Sequence, residues 1–249
     1  FDFRALFAVN ERMNGPVVLL TGCSGAGKTT SGNYLELAHG WKHLDGDGIM
    51  HCMDPSSKKL TEGLVTSFYS YWFKNLSAPP VLWKPYMDEL VRQCLQQRSE
   101  VGLVVTFSVY RREVRDYLRL LMPDLTILRL DCDPEVVIRG ALRRLETYLT
   151  NHQKTVQEWW KEEKKEETYG EYSYENYTKM QMTEYLAGME PFGTDEPGCR
   201  CCEVTARGQE AFDAIADALQ LKHKAVDLNA LKEKEQQRLV EIAQIHKGT

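Results

Sequence analysis

The sequence predicts an α/β fold in which a parallel sheet is covered by helices on both faces. Short apolar, strand-like runs recur along the chain, a helical segment follows each, and a glycine-rich loop joins the first run to its helix. At 249 residues, 43% of them hydrophobic, the chain has enough apolar side chains for one large domain or one domain with insertions.

Residues 1–15 read as a short leader, with Phe3, Leu6 and Phe7 placed to pack one amphipathic turn on the sheet. Val17-Val18-Leu19-Leu20-Thr21 is β-branched and aliphatic, as a buried strand requires. Ser31 to His39 reads as a helix closed by Gly40. Between them, Gly22-Cys-Ser-Gly-Ala-Gly27-Lys28-Thr29-Thr30 fits G-x-x-x-x-G-K-[ST] at every fixed position, in the strand–loop–helix context that this pattern needs. Backbone N–H groups from Gly22, Ser24, Gly25, Ala26, Gly27 and Thr30 are expected to turn inward on a phosphate, helped by the positive end of the helix. Lys28 is expected to reach the β- and γ-phosphates, and the Thr29 hydroxyl to sit on Mg²⁺. The loop therefore predicts a nucleoside triphosphate site.

The next strand ends on Asp45-Gly46-Asp47, at the sheet edge where open α/β folds bind ligands. Alternation brings both carboxylates toward the loop. Asp47 is read as the base for an acceptor hydroxyl and Asp45 as the carboxylate serving Mg²⁺, with the exchange of those roles left open and a helix cap or solvated turn as the competing reading. Residues 51–100 read as helical, with breaks at Ser56-Ser57 and Ala78-Pro79-Pro80. Met87, Leu90, Val91 and Cys94 share one helical face, and with Tyr69, Tyr71, Trp72 and Phe73 they read as core.

Val101 to Ser108 is a further buried strand, followed by a basic helix from Tyr110 to Leu121. Ser108, Arg111, Arg112 and Arg115, with Arg119 beyond, are the candidate substrate contacts, because guanidinium forks bind carboxylates bidentately. A solvated basic helix and an Arg115–Asp116 ion pair are the plainer alternatives. Leu125 to Asp131 is another strand, and Asp133-Pro134 supplies an N-cap and a first helical residue. On that helix, Arg139 is read as an ATP contact and Arg143 and Arg144 as stabilisers of the transferring phosphoryl group. Residues 150–180 turn to Lys, Glu, Tyr and Trp, with the run 161–167 read as a solvated helix. Cys199 to Thr205 is a last strand and Ala211 to Leu221 a closing helix. The tail carries Leu228, Leu231, Leu239, Ile242 and Ile245 in an amphipathic pattern that suits docking on its own domain or on a partner. The division is one domain over 1–221, with helical insertions near 52–100 and 145–182, and a C-terminal helix over 222–249.

A net charge of −5 argues against a nucleic-acid partner, and no apolar stretch approaches the roughly 18 residues that span a bilayer. Seven cysteines, one inside the phosphate loop, read as reduced thiols of a cytoplasmic protein, with organelle targeting left open because the chain opens on Phe1. Cys199-Arg-Cys201-Cys202 lacks the second ligand pair of a zinc site and reads as ordinary strand cysteines.

Together, the loop, Gly40-Trp-Lys-His-Leu-Asp-Gly-Asp47 and Phe107-Ser-Val-Tyr-Arg-Arg-Glu-Val-Arg115-Asp-Tyr-Leu-Arg119 resemble the bacterial-type gluconokinases, relatives of shikimate and adenylylsulfate kinases. Thr183 to Glu196 is similar to that family's L-E-P-P-x-x-D-E segment, and the resemblance covers about half of the chain. It implies a three-layer P-loop NTPase fold of the nucleoside-monophosphate-kinase type, with a five-stranded parallel sheet and a mobile lid over 145–182. It also implies phosphorylation of a small anionic acceptor, a sugar acid such as gluconate, with ATP and Mg²⁺ as cofactors and a homodimer as one assembly. The sequence departs from the family where His51 falls four residues after Asp47 instead of three, and where some thirty residues with Trp159 and Trp160 replace a short lid. A kinase for nucleosides, nucleotides or nucleic-acid ends, and a nucleotide-binding module without catalysis, are the rival readings.

Overall fold

Five strands that the sequence makes apolar line up side by side: β1 (Val17–Thr21), β2 (Lys42–Asp45), β3 (Leu103–Thr106), β4 (Leu125–Cys132) and β5 (Cys199–Val204). The structure, a computed structural model, describes residues 15–48 and 64–247. The expected leader, the Ser56-Ser57 break, His51 and Cys52 lie outside the described residues. The strands form one sheet in the order β2-β3-β1-β4-β5, with every pairing parallel, as Val17↔Leu103 and Val17↔Leu125 illustrate on the two sides of β1. The central strands β1 and β3 are buried at every residue, so they read as unbroken apolar runs, whereas the edge strands β2 and β5 mix buried and exposed positions. β3 is shorter than the expected Val101–Ser108, because Gly102 (φ 149°) precedes it and Phe107 turns toward the loops at the sheet's C-terminal edge.

Helices cover both faces. Against one face pack α2 (Leu64–Trp72), α3 (Pro80–Gln97) and α4 (Arg112–Leu121), joining Phe68, Trp72, Met87, Leu90, Val91, Cys94 and Leu118 to Leu19 and Val105. Met87, Leu90, Val91, Cys94 and Trp72 are buried as expected, whereas Tyr69 and Phe73 are half-buried and Tyr71 is 37% exposed, and α3 starts earlier than Lys84 because Pro80 opens its first turn. Against the other face pack α1 (Lys28–His39), α9 (Gln209–Ala218) and α10 (Leu228–Lys247), bringing Tyr34, Leu35, Phe212, Ile215 and Leu231 to Val18, Leu20 and Val104. α10 thus docks on its own domain, where Leu231 is buried and Lys234 pairs with Glu36 of α1 at 2.8 Å. The side chains of Leu239, Ile242 and Ile245 lie outside the described residues.

Beyond β4, α5 (Pro134–Asn151) starts as expected, with the Asp133 carboxylate accepting the Glu135 N–H. The charge-rich stretch that follows is three short helices rather than one: α6 (Val156–Glu162), α7 (Lys165–Tyr169) and α8 (Tyr174–Met180). Lys164, at φ 52°, breaks the run. These helices enclose a small core of their own, where Trp160, Tyr177 and Met180 meet Ile138 of α5, and the Trp160 indole donates to the Gly170 carbonyl at 2.8 Å. A π-helical turn, Gln181–Leu186, continues α8.

Candidate active site

β1 pairs with β3 on one side and β4 on the other, so the chain reverses its order at the C-terminal end of β1 and leaves a crevice there. The glycine loop fills that crevice. Gly25 holds φ 87°, and a Cβ on it would lie 2.6 Å from the Val137 carbonyl oxygen, so only glycine allows the loop to approach α5 this closely. Gly27 is the N-cap of α1. It offers no side-chain acceptor, and no acidic residue occupies the first turn, so the first N–H groups of the helix are left for an anion. Helix geometry begins at Lys28 rather than at Ser31, because Gly27 in the left-handed region turns the chain straight into the helix.

Lys28 is buried, and its Nζ donates to the Cys23 carbonyl at 2.9 Å. Burial depresses its pKa, opposed chiefly by Asp47. The Thr30 hydroxyl donates to the Glu235 carboxylate of α10, so its side chain is held away from the loop. Thr29, next to Lys28 on the first turn of α1, is half-buried. At the end of β2, Asp45 Oδ1 accepts the Asp47 N–H at 3.1 Å, which realises the local cap expected as the plainer reading and fixes the turn that carries Asp47. Gly46 is needed in that turn, because a Cβ there would lie 2.7 Å from the Cβ of Phe107. Its carbonyl accepts the Tyr86 hydroxyl. Ser108 donates to the Gly22 carbonyl at 2.9 Å and the Val109 N–H donates to Thr21 at 2.8 Å, which ties the β3–α4 connection to the phosphate loop.

These pieces meet in a cleft of about 240 Å³ lined by Ser24, Lys28, Asp47, Ser108 and Arg144. Tyr69, Phe73, Tyr110 and Tyr185 complete its walls. Arg144 reaches toward Ser24 Oγ at 3.4 Å, placing a second cation on the loop side. A smaller cavity, about 70 Å³, lies along the other flank of the loop between Gly27, Thr30, Val204, Gly208 and Phe212.

The other arginines fare differently. Arg115 is fully buried and forks onto Glu196 with two bonds of 2.8 Å, so it pairs with Glu196 rather than Asp116 and does not reach the cleft. Burial alone would raise the Glu196 carboxyl, but the Arg115 fork overcomes this and holds it at about 2. Arg112 forks onto Asp195 at 2.9 and 2.7 Å. Arg111 donates to Asn75 at 2.5 Å and faces Glu190 at 3.5 Å, and Arg119 is held by Asp116 and the Pro197 carbonyl. The reading of Arg111, Arg112 and Arg115 as acceptor clamps is therefore corrected: they fasten α4 and its N-terminus to residues 190–196 and to Asn75 in the turn after α2. Arg139, Arg143 and Arg144 are all exposed, Arg139 beside Glu135, and of the three Arg144 lines the cleft.

Two features escaped the sequence. Arg207, in the turn after β5, donates to the Gly25 and Val136 carbonyls at 3.0 and 3.1 Å and borders the smaller cavity; burial and then Arg143 lower its pKa. Its signal was an Arg-Gly pair just past a strand's C-terminal end. The aromatic residues lining the cleft had none, because on a helix a cleft-facing ring and a core ring share one periodicity.

The five-stranded all-parallel sheet, helices on both faces and glycine loop at the head of α1 define a P-loop kinase fold. Among solved structures, an unliganded sugar kinase from Janibacter sp. HTCC2649 is similar at a TM-score of 0.52 and 18% identity, over 86% of this chain and 99% of that one. A gluconokinase from Sinorhizobium meliloti 1021 matches at a TM-score of 0.47 and 20% identity, over 84% of this chain and 97% of that one. No protein-family model and no curated protein matches the chain.

Proposed function

We propose that the chain is a phosphotransferase that moves the γ-phosphoryl group of ATP to a hydroxyl of a small-molecule acceptor. The observation that carries this reading is the meeting of Lys28, Asp47 and Arg144 in one cleft at the head of α1. The loop N–H groups and the α1 N-terminus bind the phosphates. Lys28 exchanges the Cys23 carbonyl for phosphate oxygens, and Arg144 adds the second cation opposite the developing charge. Asp47 orients the acceptor hydroxyl and takes its proton on a carboxylate oxygen. The Thr29 hydroxyl and the Asp45 carboxylate, both oxygen donors of the kind Mg²⁺ prefers, would hold that ion. Held by these residues, Mg²⁺ would supply charge neutralisation to the phosphates. The smaller cavity beside Arg207 takes the base, and residues 145–182 close over the nucleotide to exclude water.

The fold likeness to a protein described as a sugar kinase supports an alcohol acceptor. The narrower expectation of a sugar acid came from the resemblance to gluconokinases, and the arginines suggested as its anion contacts, Arg111, Arg112 and Arg115, are engaged elsewhere. The test pairs calorimetric Mg-ATP binding with acceptor-stimulated ADP release in wild type and Asp47→Asn. Turnover of the variant falls about 10²–10⁴-fold while its ATP affinity is kept. A variant that turns over like wild type, or a chain that does not bind ATP, contradicts the reading; a chain that binds ATP but never releases ADP faster with any alcohol is a nucleotide-binding module.

A further inference from the structure

Four rings, Tyr69, Phe73, Tyr110 and Tyr185, line the cleft together with Lys28. Phe73 packs nearly parallel to Tyr69, with centroids 5.3 Å apart, meets the edge of Tyr110 at 5.5 Å and touches Tyr185 at 4.6 Å. The four come from three separate stretches: α2, the β3–α4 connection and the π-helical turn Gln181–Leu186. The Tyr69 hydroxyl donates to the Ser108 carbonyl at 3.0 Å, so its polar end is fixed. Glu184, beside Tyr185 on the same turn, is gripped by Lys165 at 2.9 and 3.1 Å and by Tyr169 at 3.0 Å. A π-helical turn is costly to keep and occurs mostly where a helix must re-aim a side chain at a functional site, and this one carries a ring into the cleft.

Charge is arranged in the same sense. The cations lining the cleft are Lys28 and Arg144, the latter reaching Ser24 of the loop, and Asp47 lines the same cleft as the rings. Among the described residues, Arg111, Arg112 and Arg115 are bound by Asn75, Asp195 and Glu196. A carboxylate on the acceptor would be stripped of water against ring faces beside the like charge of Asp47. A flat uncharged group gains there, because rings stack face to face or edge to face.

We infer that the acceptor is an uncharged alcohol carried on a planar ring, of the nucleoside or aryl-alcohol type, and not a sugar acid. This rests on the phosphotransfer reading above. In the reaction the acceptor's hydroxyl oxygen forms a bond to the γ-phosphorus and its proton passes to Asp47. The bond from that phosphorus to the β,γ-bridging oxygen breaks, and its electron pair leaves on ADP.

The test measures ADP release at saturating Mg-ATP with uridine, benzyl alcohol, glucose and gluconate, after calorimetry has established Mg-ATP binding. Uridine or benzyl alcohol is expected to give a kcat/KM at least about tenfold above glucose and gluconate, which is the scale of one ring stacked on another. Which of the two is preferred separates the nucleoside from the aryl alcohol. Tyr185→Ala raises KM for the preferred ring acceptor about tenfold at unchanged KM for ATP, and Tyr185→Phe, which keeps the ring, restores it. Gluconate as the best acceptor, or ring acceptors no better than glucose, overturns the inference and leaves phosphotransfer standing. A chain that does not bind Mg-ATP overturns both.

Discussion

Arg115 and Glu196 sit with fully buried side chains, 81 positions apart in the chain. Further bonds from Arg115 to the Glu190 and Pro191 carbonyls, with the guanidinium 4.7 Å over the Phe192 ring, leave that fork fully satisfied. Removing one partner strands a buried charge, so Arg115→Ala is expected to cost about 3–5 kcal/mol, measured as a loss of urea stability at unchanged m. The pair also sets an acid limb. Because the folded carboxyl is held near 2, below the ordinary glutamate value of about 4.3, its contribution is complete above that ordinary value and is lost as pH falls toward 2. The urea midpoint of wild type should therefore fall more steeply between pH 5 and 2 than that of Glu196→Gln; parallel curves contradict the assignment. At the phosphate loop, Lys28→Met is expected to lower turnover about 10²–10³-fold, read from ADP release, because its charge faces the transferring group. Lys28 was legible because its motif fixes both residue type and place. The arginines of α4 were not, because spacing shows which face of a helix they share and not which distant carboxylates meet it.

The central strands were legible because β1 and β3 are apolar runs that only a doubly covered sheet can bury, and the loop–helix unit because glycines mark its turns. What failed was the segment after Thr150. The charge run 161–167 within it read as one solvated helix, yet Lys164 breaks it between α6 and α7, and Trp160, Tyr177 and Met180 gather the short helices on Ile138. Periodicity cannot show a core shared by helices this short. The amphipathic tail left its partner open, and the structure resolves that: α10 lies on α1, with Leu231 only 3% exposed and Glu235 accepting the Thr30 hydroxyl. Leu231→Ala is expected to lower stability by about 2 kcal/mol, visible as a drop in Tm, and an unchanged Tm contradicts the docking. The Glu235 contact links the C-terminal helix to the first turn of α1, so under the proposed phosphotransfer the variant should also weaken Mg-ATP binding.

The molecule as a whole places one crevice where the strand order reverses, and everything with chemistry gathers there: the open N-terminus of α1, Lys28, Asp47, Arg144 and the rings. Its net charge of −5 suits a small substrate better than a polyanion, and no helix among the described residues is long and apolar enough to cross a membrane. The fold and the phosphate side of the site were written in one contiguous motif. The acceptor side was not, because it is assembled from α2, the β3–α4 connection and the π-helical turn, which only the folded chain brings together. The most direct test of phosphotransfer is ³¹P NMR of a reaction containing Mg-ATP and the alcohol that best stimulates ADP release. The account predicts a new phosphate-monoester resonance that grows in step with ADP and is absent with Asp47→Asn. Inorganic phosphate as the sole new product would contradict it, because the γ-phosphoryl group would then be passing to water.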